Sequence, residues 1–560
     1  MELRNKAGLT WLLAFVGVFA ALAAFVFWGT WSMDMAPVMP DDPYRWSSSA
    51  AETWSHFWKG FLGSGVVIPT DVLWQGLIVS PYFSQELKYA SGVFLAALGL
   101  AYFLRGRGLS HLASYGAGLW LAFCGYWLTL FSAGHAGWFV LMSYIVFEFG
   151  FADRAVRQGK LRHWLLLGLF EAWASCNQQD LWLLFSVFVA AYVVWCCVRE
   201  RTFPWKGLLI SAAVFALVGL PNFRTTLNGA LKGRQEQMAR GENITQKDAS
   251  EADKRWEFVT NWSMPVEDTL EFFNARVHGD TSCPFVLSIN GPKGVKPYVG
   301  ALGRSLNAKE GNYRQHSLYV GWMTCLLAVV GGLRGLKGLR RLRGLRGSRG
   351  LRSGEDQTAG RLVFGQKSDV LFFLVAGLVF YAFSLGRHFE PAYRVIFALP
   401  FGDLIRCPVK WHHLTELCLA VLAGYGLEAL LGRLGQLGRL GRFAPWIVGA
   451  VVLIGAVDLA GEAKRFCAPV NYGPARRTNS TMQLTILPRQ QFQDPQVAAM
   501  VRAGRIVSQA NYMGNPNYFV VGVLSPYQSA KATPDATNLA LGVISLLAVC
   551  GVLALVSRLP

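Results

Sequence analysis

The chain has 560 residues, of which 53% are hydrophobic and only 16% are charged. Soluble domains carry about 25% charged residues, so this composition excludes an ordinary soluble enzyme of the same length. The formal net charge of +19 would fit a nucleic-acid partner, but the apolar segments leave no basic soluble domain to bind one, and we expect no nucleic-acid binding.

Apolar segments of bilayer-crossing length follow one another along the chain. A spanning helix needs about 20 mostly apolar residues. Twelve segments approach this requirement, namely 8–29, 87–104, 112–131, 137–152, 163–177, 181–198, 206–220, 317–333, 369–385, 412–431, 444–460 and 538–556. The sequence therefore predicts an all-α polytopic membrane protein with about twelve transmembrane helices, and small extracytoplasmic α+β lobes in the longer outer loops.

Basic residues occupy every second gap between these segments. Arg4 and Lys6 precede the first segment, Arg105 and Arg107 follow the second, and the densest run extends over 334–367. Under the positive-inside rule these gaps are cytoplasmic, and so are both termini. The excess of positive charge is therefore interpreted as a topology signal.

This alternation predicts five parts of the chain. Residues 1–220 form an N-terminal bundle of seven spans, with the first outer loop at 30–86. Residues 221–316 form an extracytoplasmic lobe. A second group of four spans covers 317–460 and includes a basic cytoplasmic loop at 334–368. Residues 461–537 form another extracytoplasmic segment, and 538–560 contain the last transmembrane helix.

Several phrases in the outer segments resemble one family of bacterial membrane proteins, the YfhO-like proteins. They are Trp262-Ser-Met-Pro-Val-Glu267, Ser384-Leu-Gly-Arg387, Arg406-Cys-Pro-Val-Lys410 and Leu422-Ala-Gly-Tyr-Gly426. Gly134-His135 and Gln178-Gln179, each before a span, also fit. Together the phrases cover nearly the whole chain in order.

The resemblance implies a function, because YfhO-like proteins are similar to the GT-C glycosyltransferases. These multi-span enzymes take a sugar from a polyprenyl-phosphate carrier outside the membrane. The implied protein lies in the bacterial inner membrane and transfers such a sugar to an envelope glycan, lipid or protein. The alternative is a non-catalytic transporter or lipid-handling protein for envelope polysaccharide. Transporters are often built from two related halves, and the sequence has no evident internal repeat, which favours the enzyme.

Inverting sugar transfer needs a base that takes the acceptor proton. In GT-C enzymes this base is typically an Asp shortly after the first span, and Asp34, Asp41 and Asp42 match that position. The Asp41-Asp42 pair could also hold a divalent cation through its carboxylate oxygens, the only cofactor that we consider. The competing interpretation is a solvated acidic loop.

Other outer residues could bind the donor or the acceptor. The predicted ligands of the donor phosphate are the outer cations Arg387, Arg394, Arg406 and Lys410. Their alternative role is contact with lipid headgroups, because long basic side chains extend toward the interface. The predicted substrate-binding residues are His135, Gln178, Trp262 and Glu267. A His in a turn is more often merely solvated.

Three carboxylates fall within or near predicted spans, where such groups are costly and often functional. They are Glu148, Glu171 and Glu416. Glu416 lies one helical turn after His412 and His413, and pairing with these two histidines is its simpler explanation.

Overall fold

The computed structural model describes most of the apolar segments and part of the loops. The described residues are 2–27, 44–45, 81–133, 136–177, 179–239, 253, 255–257, 259–260, 262–275, 277, 317–345, 354–399, 402, 405–466, 480–488, 494–502, 506–512, 515–526 and 536–559. The first outer loop is thus described only at Tyr44–Arg45 and from residue 81 onward.

Eight helices with described bounds lie in the N-terminal half. They are α1 (Glu2–Phe27), α2 (Pro81–Gly106), α3 (His111–Ala122), α4 (Gly125–Ala133), α5 (Ala136–Gln158), α6 (Leu161–Ser175), α7 (Gln179–Glu200) and α8 (Trp205–Ala239). α2 packs against α3 and α5, and α6 packs against α5 and α8. The predicted boundary at Pro221 lies inside α8, which continues through it.

Seven further helices belong to the described part of the C-terminal half. They are α9 (Trp322–Leu345), α10 (Gly354–Ser384), α11 (Glu390–Ala398), α12 (His412–Gly435), α13 (Ala444–Phe466), α14 (Pro495–Arg502) and α15 (Ala536–Arg558). Short 3₁₀ helices cover Val266–Phe272, Gly386–Phe389, Pro408–Trp411 and Gly438–Phe443. α12 is the most deeply buried of the long apolar helices, and it packs against α3, α9, α10 and α13.

The described strands form one antiparallel sheet in the order β1-β2-β4-β3. β2 (Ser480–Pro488) pairs with β4 (Asn515–Pro526) along its whole length, and β3 (Ile506–Tyr512) pairs with the other edge of β4. β1 (Tyr44–Arg45) adds a short strand from the first loop to β2. Two segments that are distant in sequence, both expected outside the cytoplasm, therefore meet in one sheet.

The predicted span 112–131 is broken into two short helices, α3 and α4. The break is at 123–124, and the Gly125 amide that begins α4 donates to Tyr319 O at 2.8 Å. A Cβ atom on Gly125 would lie 2.4 Å from Ser317 Oγ, so only glycine lets the 317–320 segment approach this closely. The break brings Tyr126 beside the first turn of α12.

Glycines also set the distance between α9 and α12. A Cβ atom on Gly426 would lie 2.0 Å from Leu327 O, and one on Gly331 would lie 2.2 Å from Leu422 O. Small residues at a helix crossing allow the two backbones to approach closely. The Gly-Tyr-Gly phrase of the sequence is therefore a packing feature of the bundle.

Seven of the described helices are long and apolar enough to cross a membrane. An eighth is counted if the bent pair Ser368–Ser384 and Gly386–Ala398, which meet at 115°, forms one span. The multi-pass membrane character is thus supported, but the twelve predicted crossings are not confirmed. α3 and α4 are too short, α6 has only 15 residues, and α5 carries charges at Glu148, Asp153, Arg154 and Arg157.

Candidate functional site

The turn that precedes α12 is held against residues 259–264 by backbone hydrogen bonds. The Cys407 amide donates to Val259 O at 3.0 Å, and the Val409 amide donates to Trp262 O at 3.3 Å. Cys407 has a φ of 67°, in the left-handed region, which costs a non-glycine residue roughly 1–2 kcal/mol. The surrounding contacts therefore impose this turn and fix its two cations.

The Trp262 segment is also fixed to the bend between α10 and α11. The Met264 amide donates to Ser384 O at 3.0 Å, and the Arg387 amide donates to Ser263 Oγ at 3.0 Å. Gly386 in the bend has a φ of 52°, and a Cβ atom there would lie 2.1 Å from Ser263 Oγ. Three phrases of the family resemblance thus meet at one place in the fold.

Two of the predicted phosphate ligands, Arg387 and Arg394, contact backbone carbonyls or a carboxylate of the protein. The guanidinium of Arg387 donates through Nε to Thr260 O at 3.2 Å and through Nη2 to Glu257 O at 3.0 Å. Arg394 forms an ion pair with Glu390 at 2.9 Å, and its side chain is 60% exposed. Both contacts account for these arginines without a phosphate.

The other two predicted phosphate ligands begin and end the turn before α12. Arg406 is exposed, and its Cζ lies 5.5 Å from the centre of the Trp262 ring. Lys410 is only 7% exposed, and its Nζ lies 5.5 Å from the centre of the Trp138 ring. One cation therefore faces the surroundings, whereas the other is held inside the bundle.

A histidine cluster, made of His412, His413 and Glu416, lies directly below this turn. His412 Nε2 is 3.8 Å from Glu416 Oε1, and His413 Nδ1 is 3.7 Å from Glu416 Oε2. Both distances exceed those of hydrogen bonds. Glu416 Oε1 accepts the Tyr126 amide at 3.2 Å. All three side chains are at most 2% exposed.

Aromatic rings enclose the histidine cluster. The His413 ring lies 4.3 Å from the Tyr126 ring and 5.2 Å from the Trp138 ring, measured between centroids. The His412 ring lies 4.5 Å from the Phe272 ring. Because Lys410 and His413 both lie against Trp138, the buried cation and the histidines form one continuous site.

The 3₁₀ helix Val266–Phe272 covers this site with further carboxylates. Asp268 is 6% exposed and Glu271 is fully buried. Glu267, which the sequence predicts to bind substrate, is exposed. The more buried carboxylates of this helix are therefore Asp268 and Glu271, which sequence reasoning missed. A 3₁₀ repeat of three residues turns Asp268 and Glu271 to one side, but this short helix has no periodicity by which to recognise it.

Five predicted site residues lie outside the described residues, namely Asp34, Asp41, Asp42, His135 and Gln178. Their roles stay predictions. Among the described residues, no group of three or more His, Cys, Asp or Glu side chains could hold a metal ion. The predicted cation at Asp41 and Asp42 is therefore untested.

Sequence reasoning also missed an ionic cluster near the other end of the bundle. It consists of Arg107, Asp153, Arg157, Arg199 and Asp369. Asp153 accepts from Arg107 at 2.9 Å, from Arg199 at 2.7 Å and from Arg157 at 3.1 Å. Asp369 pairs with Arg107 and Arg199.

The cluster ties four separate parts of the bundle together, because its members lie after α2 and in α5, α7 and α10. Burial lowers the pKa of the Arg107 guanidinium, but the carboxylates of Asp369 and Asp153 raise it more strongly, so the pKa lies above its usual value. The arginines counted as topology signals thus include three with a structural role. The sequence did offer a signal for this cluster, because Asp153 directly follows one predicted apolar segment and Asp369 begins another.

Comparison of the chain with protein-family models, with curated proteins and with solved structures gives no match. The resemblance to YfhO-like proteins therefore stays a prediction from the quoted phrases.

Proposed function

We propose that this protein is a membrane glycosyltransferase of GT-C type. It takes a sugar from a polyprenyl-phosphate donor and transfers it to an envelope glycan, lipid or protein on the extracytoplasmic side of the bacterial inner membrane. In this proposal both termini are cytoplasmic. The broken span α3–α4, the short α6, the charged α5 and the apolar part of α9 (Trp322–Leu336) complete about twelve crossings.

The observation that carries the proposal is the pair of cations in the turn before α12. Lys410 is buried against Trp138, whereas Arg406 is exposed beside Trp262. A polyprenyl phosphate presents its charged group at the membrane surface and its chain to the lipid. Arg can bind two phosphate oxygens at once, and Lys supplies a compact charge. The start of α12 adds the positive end of its helix dipole.

The base of the reaction is expected among Asp34, Asp41 and Asp42, as the resemblance implies. β1, at Tyr44–Arg45, pairs with Thr481 and Met482 of β2, so the chain after Asp42 is held against the C-terminal sheet. This contact supports a role of the first loop and the sheet in binding one acceptor. Arg387 acts as a positioning residue, because its bonds fix the Trp262 segment.

The test is a donor titration with protein reconstituted in nanodiscs, with Arg406→Lys, Arg406→Ala and Lys410→Ala as variants. A charged hydrogen bond contributes about 1.5–3 kcal/mol. Arg406→Ala should therefore weaken apparent donor affinity by roughly 10- to 100-fold. Arg406→Lys should weaken it less, but measurably. Arg439→Ala is the control, because Arg439 is an exposed cation in the 3₁₀ helix Gly438–Phe443, which follows the far end of α12.

Unchanged donor affinity and turnover in Arg406→Lys and Lys410→Ala would overturn the phosphate site and leave these residues as headgroup contacts. Donor binding by the wild type without transfer to any envelope acceptor would favour the non-catalytic lipid-handling alternative. Loss of transfer in Asp34→Asn or Asp42→Asn, with donor affinity retained, would assign the base. The expected loss is about 10²–10⁴-fold.

A further inference from the structure

A cavity of about 870 Å³ lies between α7 and α8, with α5 and α6 behind it. Its lining is mostly apolar and includes Val194 and Val198, which are 61% and 67% exposed on the outside of the bundle. The cavity is therefore open toward the lipid. Its volume lies within the range of about 300–1,000 Å³ that is usual for small-molecule sites.

Two carboxyl groups meet in the wall of this cavity. Glu148 comes from α5 and Glu171 from α6, and the two side chains face each other. Glu171 Oε1 accepts from Trp182 Nε1 at 2.9 Å and from Ser186 Oγ at 2.5 Å. Glu148 is fully buried, and among the described residues no N–H or O–H donor reaches either of its oxygens.

No described cation near this pair neutralises it. The other titratable residues in the described cavity lining are Cys197 and Arg201. Arg201 follows the end of α7, and at 1.5 Å per helical residue it lies roughly 22 Å beyond Ser186. Two adjacent carboxylates in apolar surroundings cannot both carry a charge without a counter-ion. The fully buried Glu148, which no described donor reaches, therefore keeps its proton.

We propose that this cavity binds a lipophilic monovalent cation that enters from the bilayer and displaces the proton of Glu148, beside Glu171. The cation adds one positive charge while the proton leaves to water, so the net charge of the cavity does not change. Phe203 and Phe215 in the lining supply ring faces that attract organic cations. The site is separate from the proposed donor site, and neither depends on the other.

The test is equilibrium binding of radiolabelled tetraphenylphosphonium to the full-length protein in nanodiscs. Affinity should rise with pH, because the proton competes with the cation. Glu148→Gln should weaken binding by roughly tenfold or more, equivalent to about 1.4 kcal/mol per factor of ten. Asp458→Asn is the matched control, since Asp458 is a carboxylate in α13 that accepts the Tyr319 hydroxyl and lies outside the cavity. It should bind like the wild type.

Neutral tetraphenylmethane distinguishes a charge-selective site from an apolar groove. Equal binding of the neutral and charged probes, or equal affinity in the wild type and Glu148→Gln, would overturn the proposal and favour an acyl chain as the occupant. A second measurement uses unmodified protein. Dicyclohexylcarbodiimide, which reacts with protonated carboxyl groups in apolar sites, should label the pair, and the cation should protect it. Labelling that is insensitive to the cation would also overturn the proposal.

Discussion

The ionic cluster and the histidine cluster lie at opposite ends of the bundle. They differ in how closely their buried basic and acidic groups approach each other. α5 reaches both, with Trp138 against His413 and Asp153 in the ionic cluster. These two positions are roughly 22 Å apart along the helix. In the ionic cluster each carboxylate receives at least two guanidinium groups. In the histidine cluster the shortest distance between a histidine nitrogen and a carboxyl oxygen is 3.7 Å.

This difference separates structural from chemical roles. Removing one partner of a buried ion pair leaves an uncompensated charge, and the cost is borne by the fold. The members of the histidine cluster are buried among aromatic rings beside Lys410, and titratable groups in such surroundings are often found at functional sites. We therefore expect variants of the ionic cluster to lower stability, and variants of the histidine cluster to act mainly on function.

The largest expected effect belongs to Asp369→Asn. The substitution keeps the side-chain shape but removes one of the two carboxylates that Arg107 and Arg199 share; Asp153 remains for both, and Glu200 for Arg199. Breaking a buried ion pair costs about 3–5 kcal/mol. The free energy of unfolding, measured by tryptophan fluorescence in detergent micelles, should fall by that amount.

Glu390→Gln is the control for this variant, because it removes an ion pair of the same types on the surface. The Glu390–Arg394 pair is about half exposed on both sides, and such pairs contribute about 0–1 kcal/mol. If the free energy of unfolding fell by the same amount in Asp369→Asn and Glu390→Gln, burial would not make the ionic cluster more important for stability than a surface ion pair. The comparison of the two clusters would then fail.

A smaller loss is expected for Gly426→Ala, which separates helix packing from charge pairing in the same bundle. The new Cβ would meet Leu327 O at 2.0 Å, and overpacking of this kind costs about 1–3 kcal/mol. Gly449→Ala is the control, because no atom lies within 4 Å of the position of its Cβ. A similar unfolding free energy for both variants would contradict the close crossing of α9 and α12.

The helical, multi-pass character was predictable because it depends on composition over whole segments. The number of spans was less predictable from the sequence. The segment 112–131 is continuously apolar, and its break at 123–124 arises from the approach of residues 317–320, about 190 residues later in the chain. Such a contact is long-range and has no signal in the local hydropathy.

The candidate site was predictable in part. The turn from Arg406 to Lys410 stood out because its cations lie in a gap where the positive-inside rule expects few, and Glu416 stood out as a carboxylate in an apolar segment. That Arg387 binds the carbonyl groups of Thr260 and Glu257 was not predictable. Both acceptors are backbone carbonyl groups, which every residue has, so the sequence does not mark them. The hydrogen bonds also join segments about 130 residues apart.

The smallest expected change in stability belongs to Glu416→Gln. This variant tests whether the histidine cluster acts on function without stabilising the fold. The new amide oxygen can still accept the Tyr126 amide, and its NH₂ group can donate to a neighbouring histidine ring. The substitution also removes a buried carboxylate that no cation contacts within 3.5 Å among the described residues. The free energy of unfolding should therefore change by less than about 1 kcal/mol, the usual scale of one neutral hydrogen bond. Sugar transfer should fall, because the carboxyl group beside the histidines and next to Lys410 is replaced by an amide. The same detergent unfolding assay and the nanodisc transfer assay measure both quantities. A loss of stability as large as that of Asp369→Asn would assign the histidine cluster to the fold, whereas unchanged transfer with unchanged stability would remove Glu416 from the chemistry.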